Sequence, residues 1–279
     1  TLFRSPHLDY NLQRVGHQME LIKNDLQQID EVVGNLIRFY EKRQIKVILL
    51  SEYGITDVDR PVHLNRVFRE KGWLSIKDEV GLETLDLGGS RAFAIADHQL
   101  AHIYVNDPTI MDEVQAVLSE TPGVEKVLGK VEKHYAGLNH ARSGDLVAIA
   151  DARSWFTYYY WQDDAKAPDF ARCVDIHRKP GYDPVELFLD PAFKHPKFEV
   201  GKRLFKKKAG MRYLMDVIPL DASLVKGSHG RIPEDRYDWP ILAGDFPHLV
   251  TDDSIPATRV FHELIAAVKR GIVDPPEAG

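Results

Sequence analysis

Ile45-Lys46-Val47-Ile48-Leu49-Leu50-Ser51-Glu52-Tyr53-Gly54 is the stretch on which the reading of this 279-residue chain turns. The apolar, β-branched run 45–50 predicts a strand buried on both faces, and Ser51–Gly54 reads as the loop at its carboxyl end. Upstream, within residues 17–43, Ile22, Leu26, Ile29, Val33, Leu36 and Tyr40 recur at steps of three and four between charged residues, which predicts an amphipathic helix. A long helix feeding a buried strand is half of a βαβ unit, and the pattern continues. Residues 91–96, 102–105 and 145–150 read as strands, and 108–120 as a helix opened by Pro108 and closed near Pro122-Gly123. The fold class that follows is α/β: an open, mostly parallel sheet with helices on both faces and ligands at the carboxyl ends of its strands.

Composition narrows the function classes. Hydrophobic residues make up 44% of the chain and charged residues 28%, the balance of a globular protein. The formal net charge of −6 leaves no global basic field, so no nucleic-acid partner is expected. The local exception, Lys202-Arg203 and Lys206-Lys207-Lys208, reads as a solvated face in preference to a phosphate-attracting rim. No apolar run approaches the ~18 residues of a membrane span, so no membrane partner is expected. The single cysteine, Cys173, and the lack of a signal-type opening slightly favour the cytoplasm. Thr1 in place of Met suggests a start removed by processing, proteolysis or truncation. No P-loop, dinucleotide-type Gly-rich turn, His-Glu-x-x-His or Gly-x-Ser-x-Gly occurs. Residues 151–196 are aromatic and Pro-rich, notably Trp155–Trp161. They read as aromatic packing over the sheet edge or, less simply, as a loop forming a pocket wall. Residues 257–270 predict a closing helix.

Three spaced loops carry the candidate chemistry: Pro6-His7-Leu8-Asp9-Tyr10, Ser51-Glu52-Tyr53-Gly54 and Gly227-Ser228-His229-Gly230. In that order and with those flanks they resemble the metal-binding loops of the alkaline phosphatase superfamily. The branch they are most similar to is the type I phosphodiesterase/nucleotide pyrophosphatase-like proteins. The resemblance implies an alkaline-phosphatase-like fold of which this chain is the carboxyl-terminal part. The nucleophile, and with it the catalytic residue, would then lie upstream, leaving the domain incomplete at its N-terminus. It also implies hydrolysis of a small-molecule phosphoester, with phosphonate hydrolysis or phosphosugar mutation as neighbouring chemistries. The cofactors it implies are two divalent metal ions about 4 Å apart, zinc foremost.

Residue by residue, Asp9 takes the Asp place of the family's second metal loop and Gly16 its Gly place, while Gln13 stands where that loop has His. His7 is the substitute donor, ahead of His17. The plainer role for Asp9 is a helix N-cap ahead of Leu12. Glu52 and Tyr53 stand where the family has the Asp-His pair of the other metal. Glu52 keeps a carboxylate, whereas Tyr53 offers a phenol with a reference pKa of ~10, assigned here to substrate binding. His229 matches the final His. Asp9, His7 and His229 would hold one ion and Glu52 the second. Oxygen donors at positions 13 and 52 admit manganese or magnesium as well as zinc. Asp175–Lys179 offers His177 and Arg178 toward substrate, or forms a salt-bridged strand. Asp97-His98 with His102 is an alternative, relocated metal site. Because both departures fall at ligand positions, a non-catalytic relative binding a small ligand or protein partner through a remodelled cleft is the competing reading.

Overall fold

The computed structural model describes Ser5, residues 7–244 and residues 254–273, and the chain is mixed α/β. Helices α1 (His7–Val15) and α2 (Met19–Glu41) precede the short strands β1 (Ile48–Leu50), β2 (Thr56–Asp57) and β3 (Arg60–Val62). Helix α3 (Leu64–Glu70) leads into β4 (Ser75–Glu79), β5 (Leu82–Asp86), β6 (Ala92–Asp97) and β7 (Leu100–Val105). Then come α4 (Met111–Glu120), β8 (Val124–Leu128), α5 (Lys130–Tyr135), β9 (Leu146–Ala150) and β10 (Ser154–Phe156). Helix α6 (Pro196–Lys208), strands β11 (Gly227–Ser228) and β12 (Leu242–Gly244), and α7 (Val260–Val273) complete the order. Contacts divide the chain into two compact units, Thr1–Asn24 with Ile55–Asp238, and Asp25–Gly54 with Trp239–Gly279.

The first unit is built on a four-stranded sheet of order β6-β7-β9-β8. All three pairings are antiparallel, which corrects the expectation of a mostly parallel sheet. The physical reason lies in the alternation Ala92-x-Ala94-x-Ala96 and Ala101-x-Ile103-x-Val105, whose named residues are buried. Two period-two strands separated only by His98-Gln99 can form a hairpin, whereas a parallel pair needs a crossover of about a dozen residues or more. Parallel pairing occurs between β3 and β10, with Trp155 opposite Pro61.

Strand β10 opens the aromatic run, and that run is core. Trp155, Phe156, Tyr158, Tyr159, Tyr160 and Trp161 are all essentially inaccessible. They lie at the centre of the unit rather than over a sheet edge. Each such ring contributes on the order of 1.5–3 kcal/mol through burial. Helix α3 packs on β6 through Leu64 and Phe68, with Asn65 between them bracketing Ala94. Its Nδ2 donates to the Ala94 carbonyl at 2.9 Å, and its Oδ1 accepts from the Ala94 amide at 2.8 Å. Helix α4 covers β8 with Val114 and Leu118, one helical turn apart.

In the second unit, β1 pairs antiparallel with β12, Leu49 opposite Ala243. Leu49 and Leu50 are 38% and 42% exposed, so the run 45–50 is not the strand buried on both faces that its composition predicts. A strand in a two-stranded ribbon lacks the neighbours that would cover it.

A buried ion cluster fixes the loop after the aromatic run. Lys179 Nζ lies 2.8 Å from Asp183 Oδ2 and 2.7 Å from Glu186 Oε1, with Lys179 and Asp183 almost wholly inaccessible. Burial, opposed by Lys179, pushes the Asp183 carboxyl above its usual range. Asp183 also caps the following turn, accepting from the Val185 amide at 3.2 Å. Removing one partner of such a cluster leaves a buried charge uncompensated. Lys179→Met should therefore lower the unfolding free energy by about 3–5 kcal/mol, measured by denaturant titration. A change below 1 kcal/mol would show that the cluster does not hold this segment.

Candidate functional site

Helix α1 starts at His7 and places Asp9 in its first turn, where a carboxylate faces the positive end of the helix dipole. Pro6 lies outside the described residues. Gln13, one turn on, is buried, and its Nε2 donates to Asp9 Oδ1 at 2.9 Å. Asp9 is therefore a helical residue paired along the helix and not a cap. Gly16 ends α1 at φ +64°, with its amide on the Leu12 carbonyl at 2.8 Å. His17, the lesser substitute donor, is bound to Asp57: its amide donates to Oδ1 at 2.8 Å.

The last loop comes back to the same helix. The Lys226 amide donates to the Gln13 carbonyl at 2.9 Å, and a Cβ on Gly227 would sit 2.2 Å from the Leu12 carbonyl oxygen. Glycine at 227 is what allows the strand to lie against α1 and deliver His229 beside it.

His229 meets a residue from a third segment. The His98 ring lies 3.8 Å from the His229 ring, centroid to centroid, and 4.4 Å from the Tyr182 ring. His98 occupies the first position of the two-residue β6–β7 turn at φ +58°, a conformation that costs about 1–3 kcal/mol away from glycine. The surroundings enforce it. The His98 carbonyl accepts from the Phe156 amide at 2.7 Å, and the Gln99 amide donates to the His229 carbonyl at 2.8 Å. The Gln99 carbonyl accepts from the Ala150 amide at 2.9 Å, and Gln99 Nε2 donates to the Ser154 carbonyl at 3.2 Å.

Tyr182 enters through a bridge beside β6, its amide on the Ala96 carbonyl at 2.9 Å. Gly181 before it, at φ +133°, comes so close that a Cβ would lie 2.7 Å from that carbonyl oxygen. Burial, and next the Asp9 carboxylate, push the Tyr182 phenol above its usual range, with a hydrogen bond from Gln13 acting the other way. Asp9, Gln13, Tyr182, His98 and His229 thus form one continuous cluster in the first unit. A cavity of about 230 Å³ adjoins it, lined by Tyr182 with Lys179, Asp183 and Glu186. A larger cavity of about 590 Å³, lined by His63, Arg66, Tyr159 and Arg172 among others, shares no residue with the cluster.

The other sequence candidates fall as follows. His7 is half-buried at the first residue of α1. Glu52, exposed, and Tyr53, half-buried, follow β1 in the second unit. His177 is exposed in a turn, and Arg178 is paired with Asp169 at 2.6 Å and lies over the Phe170 ring. His102 faces the loop before β9, its Nδ1 accepting from the Gly144 amide at 3.2 Å. Asp97 Oδ1 lies 3.8 Å from His98 Nε2, but among the described residues Asp97, His98 and His102 do not converge as a group that could hold an ion.

Sequence reading gives Gln99 no role and takes in Tyr182 only as part of the aromatic, Pro-rich stretch 151–196. A glutamine between two strands carries no chemical signature, and a lone tyrosine in such a stretch is not singled out.

The donor set bears on metals. Among the described residues, no group of three or more His, Cys, Asp or Glu side chains converges to hold an ion. The carboxylate of Asp9 is engaged by an amide where the family pattern has an imidazole, and the two imidazoles lie ring against ring. The cluster does not by itself fit a two-metal centre, and no step is derived through one.

Type I phosphodiesterase / nucleotide pyrophosphatase is the family whose model matches this chain, over residues 1–183. The chain belongs to that family. It is thereby a member of the alkaline phosphatase superfamily, and the family is generally metal-dependent. Among solved structures it is similar to murine ectonucleotide pyrophosphatase/phosphodiesterase 5. The identity is 20%, over 57% of this chain and 38% of that one, with a TM-score of 0.39. The human counterpart matches at 19% identity, over 53% and 37%, with a TM-score of 0.39. Phosphonoacetate hydrolase from Sinorhizobium meliloti 1021 matches at 16% identity, over 53% and 36%, with a TM-score of 0.34. The chain spans less than two fifths of the length of these relatives. No curated protein matches significantly.

The environment of His98 sets an acid limb. Burial, with His229 as the next cause, pushes its imidazole from 6.5 down to about 2. The unfolded chain takes up that proton near pH 6.5 and the folded chain does not. The stability contributed by neutral His98 is therefore present above pH 6.5 and lost as the pH falls toward 2. Between pH 6.5 and 5 the loss amounts to about 2 kcal/mol. His98→Gln should flatten the pH dependence of unfolding free energy by that amount over this interval. An unchanged slope would place the imidazole in solvent.

Proposed function

We propose that this chain forms part of a phosphoester hydrolase and contributes its phosphoryl-binding side chains from the Asp9–Gln13–Tyr182–His98–His229 cluster. One observation carries the reading: the first and last family loops, at opposite ends of the sequence, arrive at one cluster with a buried polar interior. The substrate class is a small-molecule phosphodiester or phosphomonoester. At neutral pH Tyr182 keeps its proton and can donate a hydrogen bond to a phosphoryl oxygen. Neutral His98 holds the ring of His229 in place by stacking.

Asp9 and His229 are the donors of the family pattern retained in the first unit. Zinc is the ion that an imidazole–carboxylate pair of this kind would take, with manganese or magnesium favoured as oxygen donors increase. When bound, such an ion would supply charge neutralisation at the phosphoryl group.

The test is hydrolysis of bis-p-nitrophenyl phosphate and p-nitrophenyl phosphate by the chelated full-length protein, before and after zinc, manganese or magnesium is added. Turnover should appear with metal, and Asp9→Asn and His229→Ala should each reduce it at least about tenfold. Turnover indifferent to both substitutions would overturn the assignment of the site.

A second reading has its own support. Gln13 in place of histidine, already bonded to Asp9, and a phenol at Tyr53 together suit a cleft remodelled for binding without catalysis. Saturable binding of p-nitrophenyl phosphate without turnover under any of the three metals would favour it.

A further inference from the structure

Helix α6 turns Phe198 and Phe205 away from the protein, and none of its 13 residues is fully buried. What holds it is Arg203, whose guanidinium donates to Asp216 Oδ1 at 2.6 Å, to the Asp216 carbonyl at 3.1 Å and to Glu199 Oε2 at 2.7 Å. The same guanidinium lies over the Phe193 ring at 5.3 Å. Arg203 therefore fixes which side of the helix faces inward. Phe198 and Phe205, two turns apart, share the opposite side and are 69% and 68% exposed. At 100° per residue, Lys202 flanks this pair on one side and Lys197 and Lys208 on the other. The one acidic residue of the helix, Glu199, is already tied to Arg203.

A short helix with nothing buried is marginal in water. This one carries two outward phenylalanines within a rim of lysines, on a chain whose net charge is −6. A surface that accepts aromatic rings and presents negative charge satisfies both features at once. We infer that α6 is a membrane-surface helix that seats Phe198 and Phe205 in the interface of an anionic bilayer, with Lys197, Lys202 and Lys208 on headgroup phosphates. The attraction is local to this helix, because the rest of the molecule is acidic and repelled, so the contact also orients the protein. It is peripheral attachment: among the described residues no helix is long and apolar enough to cross a membrane. The expectation of no membrane partner rested on the lack of a spanning run, which does not bear on attachment of this kind.

The test is co-sedimentation of the whole chain with vesicles of phosphatidylcholine alone and of phosphatidylcholine mixed with phosphatidylglycerol, at low and high salt. Binding should require the anionic lipid and weaken with salt. Phe198→Ser with Phe205→Ser should weaken it at least about tenfold. Lys197→Glu, Lys202→Glu and Lys208→Glu together should weaken it on the order of a hundredfold. Because all five residues are exposed, denaturant midpoints should stay unchanged, which separates loss of binding from loss of fold. No binding to anionic vesicles at low salt overturns the inference. So does full binding by the phenylalanine variant, since that would be charge attraction alone. So too does a homo-oligomer that the phenylalanine variant dissociates, since a second copy would then cover the face.

Discussion

Gln99 and the turn it shares with His98 tie together most of the first unit's functional segments. Three of the four backbone amide and carbonyl groups of these two residues bond to different segments: those at Ala150, Phe156 and His229. The Gln99 side chain adds the Ser154 carbonyl. A buried polar side chain stabilises only when its groups are satisfied, and leaving one unpaired costs about 1–3 kcal/mol. This turn therefore specifies an arrangement as much as it stabilises one. It also accounts for the positive φ of His98: the strain persists because surrounding bonds determine the backbone independently of the side chain.

From that constraint the site follows. Once the turn is fixed, the strand carrying His229 is aligned to β2, and glycine at 227 lets it rest on the last turn of α1. The Lys179 cluster then holds Tyr182 against the other side of His98. Each loop is positioned by backbone bonds and close glycine contacts, and the side chains between them need supply no long-range force. This leaves the identity of individual donors free to change, and Gln13 is such a change: it fills the space of an imidazole and satisfies Asp9 by a hydrogen bond.

Much of this was legible from residues alone, and the reasons for the rest are specific. The order and flanks of the Asp9, Glu52 and His229 loops carry the resemblance to the family, because glycine-flanked turns at strand ends and a helix-opening aspartate are local patterns. The elements themselves were also readable, including α2, α4, β6, β7 and β9. Their pairing differs from the expectation because 91–96 and 102–105 read as strands five residues apart, whereas β6 and β7 each extend inward to leave only His98-Gln99 between them, which permits only a hairpin. The aromatic run reads from sequence as packing over a sheet edge or as a pocket wall, because composition does not report depth. In the fold Tyr158 and Tyr159 are inaccessible, and among the described residues their hydroxyls find no hydrogen-bond partner. Run 45–50 looked like a central strand because composition reports what a strand can bury and not how many neighbours it has. Tyr182 was not singled out because its role arises from a bridge to β6 far away in sequence.

The central claim is that the His98–Gln99 turn binds its neighbours into one cooperative unit. Hydrogen exchange at the amides of Gln99, Ala150, Phe156 and Tyr182 tests it most directly. If the turn gathers these segments, all four amides should exchange with the same opening free energy, at or near that of global unfolding and matching Ala101 and Ile103 inside β7. Exchange of the Gln99 and Tyr182 amides at the rates of exposed loops, with β7 still protected, would contradict the account.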